Sequence, residues 1–437
     1  MLVDQATVKI PAQRWYRVIP VIILVYLFSY LDRINIGFAM AGGMNEELGM
    51  TASIAGMAAG IFFIGYLFLQ APGGHIAERW SAKKFIGATM IIWGGLATAT
   101  GYVTDTNQLL GMRFILGVAE GGVWPATLVL ISRWFPSEER GRANACAVVS
   151  IALASILAGP LSGWIISEWG WRNLFIFEGG LSLLLLVIWF PLMDDGPETA
   201  KWISTAEKEY LLQRRKEENA SVKPASGVSA SYLEIIKDVN LWKMIIFYFT
   251  YLIGMYGLTM WLPTLIKSLM KTGILNVGLL SAIPFIACAI GAYVFAAISD
   301  RSQNRRLWIA IPPLCFALCL FLSTLFKEQV WVAYGFLVGC GFFMQGASGA
   351  FWALPRVLFP SEVAGGAIGI INALGNVGGF MGPSMAGWFI TTSGSNDFGI
   401  YSLACSLLIA AFVALTLPAK AAGVVVDAAA DICSSKV

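Results

Sequence analysis

Apolar stretches of about 20 residues recur along the whole chain, separated by short polar or charged segments. Each stretch is long enough to cross the hydrocarbon core of a bilayer as a helix, and none alternates as a strand would. The pattern predicts an all-α membrane protein with twelve transmembrane helices. They run at 18–40, 53–73, 85–103, 108–132, 143–167, 173–192, 243–266, 276–298, 307–326, 330–355, 364–390 and 398–418.

One long polar stretch divides the chain into 1–192, a central loop at 193–242, and 243–437. Short motifs repeat across this loop at offsets of 222 to 224 residues. The pairs are WFPSEERGRA (134–143) with LFPSEVAGGA (358–367), GPLSGW (159–164) with GPSMAGW (382–388), and IAERW (76–80) with ISDRS (298–302). Repeats at this scale predict two pseudo-symmetric six-helix bundles. Duplicated transporters of this kind bind substrate near the bilayer midplane.

Composition excludes several functional classes. Only 13% of residues are charged and 57% are hydrophobic, whereas a soluble domain has about 25% charged residues. The net charge of +3 gives no reason to expect a nucleic-acid partner. The chain has no nucleophile–base set, phosphate-binding loop or metal-ligand cluster. We therefore expect no enzymatic activity, no cofactor, no metal and no direct use of ATP.

The distribution of basic residues predicts the orientation in the membrane. Basic residues follow the second, fourth and eighth spans: Arg79, Lys83, Lys84, Arg133, Arg140, Arg142, Arg301, Arg305 and Arg306. The opposite loops carry acidic residues, with Lys267 and Lys271 as exceptions. Because basic loops stay in the cytoplasm, we expect a multi-pass protein of the cell inner (plasma) membrane with both termini cytoplasmic.

Ionisable residues inside the predicted spans are candidates for the functional site, because each costs about 2.5–3.5 kcal/mol at a helix centre. Four stand out: Asp32, Arg33, Arg113 and Glu120. Adjacent helical residues point about 100° apart, so Asp32 and Arg33 need separate partners. Two interpretations remain open. The cluster is either a structural ion-pair network or a site for substrate binding and proton coupling.

The functional interpretation assigns a role to each charge. Arginine is always charged and presents a fork that fits a carboxylate, so Arg33 is the candidate for holding a substrate anion. Buried carboxylates respond to nearby charge, so Asp32 and Glu120 are the candidate proton carriers.

Three motifs resemble those of the major facilitator superfamily. GGHIAERWSAKK (73–84) is similar to its loop motif between the second and third spans, with Glu78 in place of aspartate and Ser81 in place of glycine. RFILGVAEGG (113–122) resembles its fourth-span motif, and AGPLSG (158–163) resembles its fifth-span Gly-Pro motif. The resemblance implies alternating access between two helical bundles.

A narrower resemblance, to the anion:cation symporter family, covers nearly the whole chain. It lies in YLDRINIGFA (30–39), GVAEGGVWP (117–125) and INALGNVGGFMGP (371–383). Bacterial members import organic acid anions such as hexuronates, galactonate, glucarate, tartrate, phthalate and hydroxyphenylacetate. The resemblance implies the same roles for Arg33, Asp32 and Glu120. It also implies that Arg113 partners Glu120 and tunes its affinity for protons.

Further substrate-binding candidates are aromatic and amide residues within spans. Tyr30 and Tyr66 resemble family positions that face substrate, although tyrosines in spans also serve packing. Asn372 and Asn376 lie one turn apart on the eleventh span and hydrogen-bond either a ligand or a neighbouring helix. Trp352, in the tenth span, is the weakest candidate.

Charged residues in the basic loops are candidates for a cytoplasmic gate: Glu78, Arg79, Arg140, Asp300 and Arg301. The family resemblance implies contacts among them that close the inner side. The alternative is that they only set topology.

Together these features predict a secondary active transporter that imports an organic carboxylate anion with protons. An anion exchanger and a drug/proton antiporter remain alternatives, as do sodium coupling and a nutrient sensor without turnover. The expected partners are an organic anion, a co-transported proton and the lipid bilayer, and the expected state is a monomer.

Overall fold

The computed structural model describes residues 12–221, 236–302 and 304–418, and it contains no strand among them. The helices are α1 Gln13–Ala39, α2 Ala52–Arg79, α3 Ala82–Thr100, α4 Thr106–Gly121, α5 Val123–Trp134, α6 Ser137–Trp169, α7 Trp171–Leu192, α8 Thr205–Ser221, α9 Val239–Met270, α10 Ile274–Ser302, α11 Arg305–Leu325, α12 Val330–Met344, α13 Ser348–Ala353, α14 Pro355–Leu358, α15 Ser361–Ser393 and α16 Asn396–Leu415. A π-helical segment, Met40–Met44, and a short helix, Asn45–Glu47, follow α1. Helices α4 and α5 together form the fourth span, α12 to α14 form the tenth, and α8 lies in the central loop.

Eleven helical segments in the described ranges are long and apolar enough to cross a membrane. The remaining predicted span is α3, with 19 residues. Its length of about 28 Å is close to the thickness of a hydrocarbon core, and Lys83 and Lys84 in its first turn lower its mean hydropathy. The predicted all-α membrane fold with twelve spans is confirmed. The two termini, predicted to be cytoplasmic, and residues 222–235 of the central loop lie outside the described residues.

The structure divides into two compact units. Of the described residues, the first unit contains 12–35, 64–155 and 172–221, and the second contains 36–63, 156–171 and the chain from 236 onward. The boundaries between units therefore fall inside α1, α2 and α6, and after the first residue of α7.

Helix α8 is held to α1 and α6 of the first unit by ion pairs. Arg14 Nη1 lies 2.5 Å from Glu207 Oε1, and Arg14 Nη2 lies 2.8 Å from Glu139 Oε2. Farther along α8, Arg140 Nη2 lies 2.6 Å from Glu218 Oε2. Desolvation would raise the pKa of Glu218, but the Ser137 N–H and the Arg140 guanidinium outweigh it and lower that pKa below its ordinary value.

In the second unit, the ends of spans remote from the basic loops pack closely. Gly56 has no room for a side chain, because a Cβ there would collide with the carbonyl oxygen of Pro383. The indole of Trp261 donates to the same carbonyl at 3.1 Å. Lys267, one of the two basic residues in the otherwise acidic loops, donates to the carbonyl of Ala41 at 2.7 Å. These contacts join 36–63 to α9 and α15.

Candidate functional site

The two adjacent charges of α1 have different partners within the first unit. Asp32 Oδ2 accepts a hydrogen bond from Ser182 Oγ of α7 at 3.2 Å. Arg33 Nη2 lies 3.6 Å from Glu120 Oε2 of α4. Both residues are buried: Asp32 is 0% exposed and Arg33 is 6% exposed. The separation follows from helical geometry, which directs consecutive side chains about 100° apart.

Arg113 of α4 binds the main chain of α1. Its Nη1 donates to the carbonyl oxygen of Asp32 at 3.1 Å and its Nη2 donates to that of Arg33 at 3.2 Å. The family resemblance implied Glu120 as the partner of Arg113. In the structure Glu120 lies closest to the guanidinium of Arg33 and also interacts electrostatically with Arg113. The hydrogen bonds of Arg113 attach α4 to α1.

Glu120 lies at the point where α1, α2 and α4 meet. It is 1% exposed, and its Oε2 accepts a hydrogen bond from Ser29 Oγ at 3.1 Å. The next residue, Gly121, lies against α2, where a Cβ would collide with the carbonyl oxygen of Tyr66. The missing side chain therefore lets α2 bring Tyr66 next to the charged residues.

Two aromatic rings flank the guanidinium of Arg33. Its Cζ lies 5.3 Å from the ring centroid of Tyr30 and 4.7 Å from that of Tyr66. Rings at this distance attract a cation through their quadrupole, and they leave the planar fork oriented. The structure thus gathers five predicted residues around Arg33: Tyr30, Asp32, Tyr66, Arg113 and Glu120.

Sequence reasoning missed a third buried carboxylate, Glu178 of α7, which is 0% exposed. Its Oε2 accepts a hydrogen bond from Asn35 Nδ2 of α1 at 2.8 Å. The signal was available, because Glu178 is an isolated charge inside the predicted span 173–192. Ser29, Asn35 and Ser182 were also missed, and small polar residues in a span give no comparable signal.

The remaining substrate-binding candidates belong to the second unit. Asn376 Nδ2 donates to the carbonyl oxygen of Asn372 at 2.8 Å and lies 3.3 Å from its Oδ1. Trp352 packs edge-on against Tyr248 with ring centroids 4.9 Å apart. Tyr248 also fills the space beside Gly375 of α15, so an aromatic side chain that the sequence did not single out lies next to the amides.

The predicted gate residues lie mostly at the surface. The side chains of Glu78, Arg79, Asp300 and Arg301 are exposed, and the described residues show no ion pair among them. The carbonyl of Glu78 accepts a hydrogen bond from Arg133 Nη2 at 2.8 Å. Arg140 instead pairs with Glu218 of α8.

The described cavities lie away from this site. A cavity of about 680 Å³ lies where α1 and α6 begin, lined by residues that include Arg14, Trp15, Glu139, Arg142 and Tyr210. It contains none of the predicted substrate-binding or proton-coupling residues.

Comparison with known proteins identifies the family. The profile of the Major Facilitator Superfamily matches residues 22–383, most of the chain. This chain belongs to the major facilitator superfamily. The protein is therefore a membrane transporter and not an enzyme.

The transporter is similar to curated proteins along nearly its full length. It is 33% identical to a putative tartrate transporter of Agrobacterium vitis, covering 92% of this chain and 93% of the relative. It is 31% identical to the putative metabolite transport protein NicT of Pseudomonas putida, covering 96% of both chains. A quinolone resistance transporter of Acinetobacter baumannii is 29% identical over 93% of this chain and 94% of the relative. The predicted resemblance to organic-acid permeases is confirmed.

A solved structure supports the fold of the transporter. The crystal structure of a D-xylose-proton symporter matches with a TM-score of 0.72 at 19% identity, covering 94% of this chain and 100% of the other. At this identity the likeness establishes the fold, which is the predicted major facilitator fold.

Proposed function

We propose that the protein imports an organic carboxylate anion together with protons by alternating access. The observation that supports this most directly is the position of Arg33. Its guanidinium lies near two aromatic rings and beside one carboxylate. A cation in a low-dielectric site gives an anion a partner that lipid does not provide, and the guanidinium fork suits the two oxygens of a carboxylate.

The same arrangement supports proton coupling through Glu120. An anion bound to Arg33 competes with Glu120 for one guanidinium. Without that cation, a buried ionised carboxylate is costly, so Glu120 gains a proton when the anion binds. Asp32 is the second proton carrier. The loaded site is then close to neutral and can be enclosed while the helices move.

Residues of the second half complete the proposed transport cycle. Asn372 and Asn376 are the proposed hydrogen-bond donors to the body of the substrate, and Trp352 is a proposed apolar contact. Charged residues of the basic loops, Glu78, Arg79, Arg140, Asp300 and Arg301, form the proposed inner gate. We place the transporter in the inner membrane as a monomer with both termini in the cytoplasm.

The test is proton movement in proteoliposomes that contain a pH-sensitive dye and no sodium. Dicarboxylates such as tartrate, sugar acids and aromatic acids are added outside, one at a time. One class of acid should acidify the lumen, and the Arg33→Gln variant should not respond. Labelled uptake without luminal acidification would contradict proton coupling. If uptake requires sodium, sodium and not the proton is the coupled ion. If uptake occurs only when the liposomes are preloaded with an anion, the protein is an exchanger.

A drug/proton antiporter is the second candidate, because one relative is named a quinolone resistance transporter. The direction of proton movement separates the two functions. In liposomes with an acidic lumen, an antiporter releases luminal protons when a quinolone is added outside. An anion symporter does not respond to the drug and moves protons inward with the acid.

A further inference from the structure

Glu178 lies beside Asp32 between the same two helices. On α1, Asp32 and Asn35 are three residues apart, and on α7, Glu178 and Ser182 are four apart, so each pair shares one face. Ser182 donates to Asp32 at 3.2 Å, and Asn35 donates to Glu178 at 2.8 Å. The two carboxylates therefore occupy neighbouring turns of one interface, and both are 0% exposed.

The buried charges around Arg33 do not balance. Three carboxylates, Asp32, Glu120 and Glu178, accompany two guanidiniums, Arg33 and Arg113, and all five side chains are buried. With every group ionised, the cluster carries a net charge of −1. An uncompensated charge inside the bilayer is costly. One bound proton makes the cluster neutral.

Local surroundings indicate which carboxylate holds that proton. Glu120 has the Arg33 guanidinium at 3.6 Å, although its Oε1 is buried without a donor among the described residues. Asp32 accepts from the neutral hydroxyl of Ser182, and Glu178 accepts from the neutral amide of Asn35. Asp32 Oδ1 is also buried and has no donor in the described part of the chain. An ionised oxygen in that position loses its hydration without compensation, whereas a protonated one does not.

Within the described residues, α3, which packs against α7, places no charge beside the pair. Helix α3 contacts α7 at Gly179, where a Cβ would collide with Thr98. The charged residues of α3, Lys83 and Lys84, are both in its first turn, about 20 Å away along the helix. The charges facing the pair from α1 and α4 are those of Arg33, Arg113 and Glu120.

We propose that Asp32 and Glu178 share one proton in the anion-free transporter, so that Glu178 is a further proton-binding residue of the site. One of the two carboxyl groups holds the proton at a time, and the proton is exchanged with water when the site opens. The consequence for transport rests on the proposed function. When a monocarboxylate binds Arg33 and Glu120 takes up a proton, the neutral loaded site holds two protons.

Infrared spectroscopy of the purified full-length protein tests the proposal without substrate. In lipid nanodiscs at neutral pH, the carbonyl stretch of a protonated carboxyl group should appear and shift on exchange into D₂O. Glu178→Gln and Asp32→Asn each remove one negative charge, so both variants should lose this band. Glu178→Asp keeps the carboxyl and should keep the band. Circular dichroism confirms that each variant is folded.

The control separates the buried cluster from exposed carboxylates. Glu168→Gln alters an exposed carboxylate at the end of α6 and should keep the band. Wild-type protein without the band, or a band that persists in either Asp32→Asn or Glu178→Gln, would overturn the proposal. If the infrared bands behave as expected but no acid drives proton movement in liposomes, the shared proton stands and only the proposed function is overturned.

Discussion

Arg33 Nη2 and Glu120 Oε2 lie 3.6 Å apart at the junction of α1 and α4. The carboxylate is almost fully enclosed, and the guanidinium is the more accessible partner. In the proposed mechanism, an arriving anion and the carboxylate compete for this one cation. Anion binding and proton binding would then favour each other, as symport requires.

Glu120→Gln should separate exchange from accumulation. Glutamine keeps an oxygen that accepts from Ser29 and removes the titratable group, so position 120 is neutral without a proton. We expect counterflow of labelled acid to persist and uptake driven by a pH gradient to fall to equilibration. Glu168→Gln serves as the control and should accumulate normally. Accumulation by Glu120→Gln would show that this carboxyl does not carry the coupled proton.

Arg33→Lys should weaken substrate binding although it preserves charge. Lysine presents a point charge and lacks the planar fork. Charge-assisted hydrogen bonds contribute about 1.5–3 kcal/mol, so KM for uptake should rise about 10- to 100-fold. Arg142→Lys, which changes an exposed arginine of α6, is the matched control. An unchanged KM in Arg33→Lys would indicate that the anion binds at a site other than Arg33.

Tyr66→Phe and Tyr66→Leu should differ in their effects. Phenylalanine keeps the ring face 4.7 Å from the Arg33 guanidinium, and leucine removes it. Because a cation–π contact contributes about 0.5–2 kcal/mol, KM should rise about 2- to 30-fold in the leucine variant and stay near wild type in the phenylalanine variant. Equal losses in both would indicate that the hydroxyl group, and not the ring, supports binding.

Gly121→Ala and Gly111→Ala make a matched pair on α4. A Cβ at Gly121 would collide with the Tyr66 carbonyl, whereas nothing lies within 4 Å of one at Gly111. Overpacking costs about 1–3 kcal/mol, so thermal unfolding in detergent should show a lower Tm for Gly121→Ala only. An equal Tm for the two variants would mean that α2 and α4 move apart enough to accommodate the added methyl group.

Glu207→Gln should destabilise the attachment of α8. Glu207 is 0% exposed and pairs with Arg14, and breaking a buried pair costs about 3–5 kcal/mol. Glu217→Gln changes a carboxylate that is half exposed, where the expected cost is at most about 1 kcal/mol. Trypsin cleavage of the central segment should accelerate in the first variant alone. Equal cleavage rates would contradict a structural role for the buried pair.

The transmembrane spans could be predicted because crossing a bilayer requires an apolar stretch of about 20 residues with few charges. The four charges singled out from the sequence do lie together, since lipid leaves isolated charges no other partner. Glu178 was equally visible as a charge, but its place beside Asp32 depends on how α7 packs against α1. The bonds of Arg113 were not predictable, because main-chain carbonyls exist at every position and carry no signal in the sequence. The roles assigned to these residues stay predictions.

Arg113 holds α4 to α1 through hydrogen bonds to peptide carbonyls, and these bonds do not involve the charged side chains of positions 32 and 33. Peptide groups are the same whatever side chains occupy positions 32 and 33, so the hydrogen bonds that join α4 to α1 do not depend on those identities. The side chains at positions 32 and 33 can therefore be replaced without losing the hydrogen bonds that join α4 to α1. Under the proposed function, substitutions at these two positions would alter the substrate or the coupled ion while the two helices stay in register.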